Sequence, residues 1–257
     1  MTSPTLFVVS LLLATPAGAA QAPASASAKT ISAPEVIALL DSPDLDRKGE
    51  GLNLVAGSRS FQEDPRVRAV VVRELTSMTR RRKDAHQRGD RVNHREAELL
   101  LALIRTTARF DGVQVIDALL PHVGESAIAQ RRIAAYELPL VDALLGLYRS
   151  GEGASEPELV RFGALKTLAA ITHRGSLSAE QRTAVAAAAR SALQSDETFV
   201  FAGGMYLGAA THQPDLLQPA VRARSGDFGG RKLSESDSRF LRGAGQRALE
   251  QAGISAR

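Results

Sequence analysis

The chain has 257 residues, a net charge of +4, 44% hydrophobic and 23% charged residues, no Cys and no Trp. This is globular composition in a chain long enough to bury a large core, and it excludes a disordered protein. The missing Cys excludes disulfides, thiolate metal sites, a Cys nucleophile and a lipidated N-terminal Cys, and 4% aromatic residues disfavour a sandwich or barrel built on them.

At the start, Leu6 to Ala14 (LFVVSLLLA) is an uncharged apolar run, followed by Pro16 and the small residues Ala17-Gly18-Ala19-Ala20. That is the layout of a secretory signal over residues 1–20, with cleavage after Ala19 or Ala20. The run is too short to cross a bilayer, which takes about 20 apolar residues, so no membrane span is expected after cleavage. The n-region departs from the usual pattern, because no Lys or Arg precedes Lys29. Residues 21–31, rich in Ala, Ser and Pro, read as a flexible linker. The expected location is therefore outside the cytoplasm, periplasmic or secreted.

From Ser32 onward the apolar spacing is helical nearly throughout, and no long alternating strand run appears. Start signals stand at Ser32 before Pro34 and Glu35, Asp64 before Pro65, Asn93 before Glu96, Ser155 before Glu158, Ser178 before Gln181 and Ser234 before Asp237. Stop signals stand at Gly89, Gly112, Gly124, Gly151, Gly175 and Gly226. Together they predict helices near 34–41, 65–83, 94–109, 113–122, 129–149 (interrupted by Pro139), 156–173, 179–194, 197–211, 214–224 and 236–252. Within FVFAGGMYLGAA (Phe199–Ala210), Gly204 and Gly208 form a GxxxG pattern. In a segment this short with polar flanks, it predicts close helix packing in the core and not a membrane dimer face.

Two segments carry a family resemblance. DPRVRAVVVREL (from Asp64) and EPELVRFGALKTL (from Glu156) each place an acidic-Pro turn before Val-Arg and then spaced Ala and Leu. They resemble the second-helix signature of HEAT repeats, and Thr198 to Ala202 is a looser echo. The resemblance implies an all-α fold of stacked antiparallel helix pairs, a HEAT-like α-solenoid over residues 32–257, and partner binding along one face. An irregular α-helical bundle is the alternative.

The strongest charge feature lies in residues 59–95, with eleven basic side chains against five acidic, a local excess of +6 in a chain of +4. Arg80, Arg81, Arg82, Lys83, Arg88, Arg91 and Arg95 are the candidate binding residues. They suit an acidic protein, an anionic surface or an acidic polysaccharide. The competing structural account places Arg80 to Lys83 at a helix C-terminus, where cations complement the macrodipole. Nucleic acid is disfavoured by export and by the lack of interleaved aromatics. The histidines (His86, His94, His122, His173 and His212) lack the spacing of a zinc pair, so no metal is expected and they are read as surface or capping residues. No GxSxG elbow, SxxK pair or phosphate-cradling loop occurs, so no catalytic residue or cofactor is assigned. The glycine-containing loop Arg224 to Lys232 reads as a connector before a binding loop. The function expected is that of a non-enzymatic binding scaffold, the alternative being a hydrolase or other enzyme whose site is assembled across repeats.

Overall fold

In the computed structural model, side-chain caps begin the helices where the sequence places them. The structure describes residues 31–254 except 89, 91, 92, 137–139 and 176. The signal segment, nearly all of the linker, Arg91 and Pro139 lie outside the described residues. Asp64 Oδ1 accepts from the N–H groups of Arg66 and Val67 at 2.8 and 3.3 Å. Asn93 Oδ1 accepts from Arg95 N–H at 3.0 Å. Ser178 and Gln181 form a reciprocal capping box, at 3.1 and 3.0 Å. Ser155 is an exception. Glu156 occupies the cap position of its helix, and the Ser155 hydroxyl is buried without a partner.

Thirteen α-helices and one 3₁₀ turn are found among the described residues, and no strand. They are α1 (Ala33–Leu40), α2 (Leu45–Gly57), α3 (Arg59–Glu63), α4 (Pro65–Arg88), α5 (His94–Thr107), α6 (Val113–Leu119), the 3₁₀ turn (Leu120–His122), α7 (Ala127–Ala134), α8 (Val141–Ser150), α9 (Pro157–His173), α10 (Ala179–Leu193), α11 (Thr198–Ala210), α12 (Pro214–Arg224) and α13 (Glu235–Gln251). The expected helix 129–149 is two helices, α7 and α8. The α8 helix ends on Gly151, whose left-handed φ of 66° a side chain would resist.

The α2 and α3 helices escape the sequence pattern. Three glycines in LDRKGEGLNLVAG lower the helix propensity of α2, yet its burial overrides them. Leu52 and Val55 are buried, Lys48 Nζ reaches Glu74 at 2.5 Å, and a Cβ on Gly51 would stand 3.1 Å from Leu39 and Leu40. The glycine lets α1 and α2 approach.

Packing partners alternate along the chain. The helices α2, α5, α7, α9, α11 and α13 each pack on the next in that order, while α1 packs on α4, α4 on α6, α8 on α10 and α10 on α12. Sequential pairs (α1/α2, α4/α5, α6/α7, α8/α9, α10/α11, α12/α13) join the two sets. The centre of the second half is α11, buried at every residue from Val200 to Ala210. Its small residues allow this. A Cβ on Gly204 would stand 2.9 Å from Leu193 N, and one on Gly208 would stand 2.5 Å from Leu216 O. The GxxxG pattern thus packs helices inside the core, as expected.

Candidate functional site

The basic stretch 59–95 does not form one surface. Arg59 pairs with Glu63, Arg66 with Asp64 and Arg88 with Asp90, at 2.7, 3.1 and 2.9 Å. Hydrogen bonding to Arg66 holds the Asp64 carboxyl below its ordinary range. Three carboxylates from outside the stretch also converge on it. Asp41 pairs with Arg73, Asp46 meets Arg95 at 3.3 Å, and Glu125 meets Arg82 at 2.7 Å.

Helix periodicity then divides the run Arg80 to Lys83. Arg82 turns inward. Its partner Glu125 also accepts from His122 Nδ1 at 2.7 Å, and His122 Nε2 lies 2.8 Å from the Thr79 hydroxyl, which donates to Leu75 O at 2.7 Å. His122 is fully buried and both ring nitrogens meet side chains, Thr79 and Glu125, so it is neither a surface histidine nor a cap on backbone groups. Arg81 and Arg88 lie seven residues apart, two turns along the same side of the helix. With Arg82, Asp84, Asp90 and Glu96 they border a cleft of about 360 Å³ between the end of α4 and the start of α5. Arg80, Arg81 and Lys83 are exposed and have no carboxylate partner among the described residues. The dipole account of these cations fails on position: α4 continues to Arg88, and the effect fades beyond the last turn.

A second cationic group, missed in the sequence, lies over α9. Its groove, about 620 Å³, is lined by Arg131 and Gln130 of α7, by Lys166, Thr167, Ala170 and His173 of α9 with the adjoining Arg174, and by Gln251 of α13. Among the described residues, no carboxylate lines it. Lys166 is half-buried, its Nζ lying 5.5 Å from the Phe162 ring centroid and 5.6 Å from that of Tyr206. Burial, and then the nearby Arg247 guanidinium, push the Lys166 ammonium below its ordinary pKa. Arg247 is held in place by donating from Nε to the Tyr206 hydroxyl at 3.0 Å. Burial, and then His212, likewise lower the pKa of His173, the two imidazoles lying 6.0 Å apart.

The signal that could have found this group is a lack of acid at helical spacing. Around Arg131, positions three and four away hold Ile128, Ala134, Ala127 and Ala135; around Lys166 they hold Gly163, Ala169, Phe162 and Ala170. Arg59, by contrast, has Glu63 four residues on and pairs with it.

The other sequence candidates resolve simply. His94 meets Glu98 at 3.2 Å on an exposed face. The loop Arg224 to Lys232 is tied down, because the Arg231 guanidinium lies 4.1 Å from the Phe201 ring centroid and donates to Leu193 O at 3.4 Å. Among the described residues there is no group of three His, Asp or Glu side chains that could hold a metal ion, and no helix long and apolar enough to cross a membrane. No family model, curated protein or solved structure matches the chain.

Proposed function

We propose that the protein is an exported, non-catalytic docking module, built as a HEAT-like α-solenoid, that holds an acidic protein partner against the end of α4. The observation that carries this reading is the set Arg80, Arg81 and Lys83, exposed and, among the described residues, without carboxylate partners while most of the cations around them are paired. Unpaired surface charge of one sign gives electrostatic complementarity and steers association. The two alternating sets of helices support the solenoid reading, since a helix pair that stacks on its neighbours buries a continuous core. The apolar run Leu6 to Ala14 and the small residues after it support export.

The docking test is retention of the full protein on immobilised poly-L-glutamate at moderate salt. The triple variant R80E/R81E/K83E, which leaves Arg82 and its buried partners alone, should lose retention. Equal retention of variant and wild type would overturn the assignment. The export test is the mass of the mature N-terminus, expected to start at Ala20 or Gln21. A chain that keeps Met1 when expressed in a secretion-competent host would overturn it.

A further inference from the structure

We infer that the groove over α9 is a binding site for a soluble phosphate-type oxyanion carrying two or more negative charges. Arg131, Lys166 and Arg174 bring three permanent or near-permanent cations to its walls, His173 adds a titratable fourth, and among the described residues no acidic side chain lines the space. Gathering like charges without counter-charge costs Coulomb energy. Helix dipoles offset part of that cost for Arg131, in the last turn of α7, and for His173 and Arg174, at the end of α9. They do not offset it for Lys166, which sits two turns inside α9, half-buried over two aromatic rings. A bound anion would supply the missing counter-charge, and Arg and Lys are the residues that recognise phosphate oxygens.

The geometry also selects the ligand. Several full positive charges exceed what one carboxylate neutralises, so a dianion or polyanion fits best. The aromatic floor under Lys166 excludes water from one side and strengthens the contact. Among the described residues the exposed large hydrophobics are Leu101 and Val113, and neither lines the groove, so no apolar anchor is found beside it there. That favours a free phosphate compound over a lipid headgroup.

The test is calorimetric titration of the full protein with pyrophosphate. Saturable binding is expected, weakened about tenfold or more by Lys166→Met, the loss expected of one charge-assisted contact. Lys166→Met removes a desolvated charge and so should fold. If it does not, the exposed Arg174→Gln serves in its place. In a second readout, the His173 imidazole should titrate at higher pH with pyrophosphate bound than without it, read from its ring resonances. The R80E/R81E/K83E variant should bind pyrophosphate as wild type does, which separates this site from the docking face on α4. Co-sedimentation with phosphatidic acid vesicles, lost in Lys166→Met, would retain the site but assign its anion to a headgroup. Unchanged pyrophosphate affinity in Lys166→Met, or no binding to either probe, would overturn the inference.

Discussion

The end of α4 and the groove over α9 have opposite relations between sequence charge and structural charge. Residues 59–95 hold the densest cations in the chain, yet many of them meet a carboxylate, some from as far away as Asp41, Asp46 and Glu125. The groove draws Arg131 from α7 and Lys166, His173 and the adjoining Arg174 from α9, each ordinary in its own helix, and among the described residues it gathers them without an acid. Local density along the chain therefore says little about free charge in the fold. What counts is whether the fold brings an opposite charge within reach, from four residues away as Glu63 to Arg59 or from forty-three as Glu125 to Arg82.

The largest effect that would sharpen this contrast is expected at Glu125. Removing it in Glu125→Ala leaves Arg82 partly buried and His122 fully buried without their anion. A loss of about 3 kcal/mol is expected. Urea unfolding checks it, and an unmoved midpoint would mean the inward pairing contributes nothing. Gly204→Leu disturbs α11, whose Tyr206 lies under Lys166. There a side chain must enter space already filled by Ala192 and Leu193. An overpacking cost of about 1–3 kcal/mol is expected, read by thermal melting.

A smaller effect is expected from pH. The folded state depresses the His173 pKa below its ordinary value of 6.5. The unfolded chain therefore takes up the proton first, and stability falls as pH drops from above 6.5 through the window below it. His173→Gln should reduce this loss, measured as the difference in melting temperature between pH 7.5 and pH 5. A variant that loses as much as wild type would place the sensitivity elsewhere. The smallest effect belongs to Arg80, Arg81 and Lys83. Their replacement by Gln should change stability by less than about 0.5 kcal/mol, as expected of surface positions outside any network. A larger loss would show that these side chains hold the fold and are not free to dock a partner.

Much of the fold is legible in the sequence because its signals are local. Pro65, Pro157 and Pro214 each open a helix, and Gly151 closes one. Where tertiary contacts decide, local signals fail. The α2 helix is held by Leu52, Val55 and the Lys48–Glu74 pair against its own glycines. The α4 helix outruns its expected end by five residues, which changes the meaning of Arg80 to Lys83. The groove is the least legible part, since Arg131 and Lys166 come from different helices and a single chain does not show which helices face each other. His122, three residues from Glu125 but forty-three from Thr79, is half legible for the same reason.

The crossing between α9 and the segment after the 3₁₀ turn has a mechanical consequence. A Cβ on Gly163 would lie 2.0 Å from Val123 O, and one on Gly124 would lie 2.9 Å from Val160 N, so main chain presses on main chain there. Side-chain joints yield by changing rotamer, whereas backbone joints have no such freedom. This seam lies between the α6/α7 and α8/α9 pairs and beside the base of the groove. It should transmit force as a rigid weld, keeping Arg131 of α7 and Lys166 of α9 at a fixed separation.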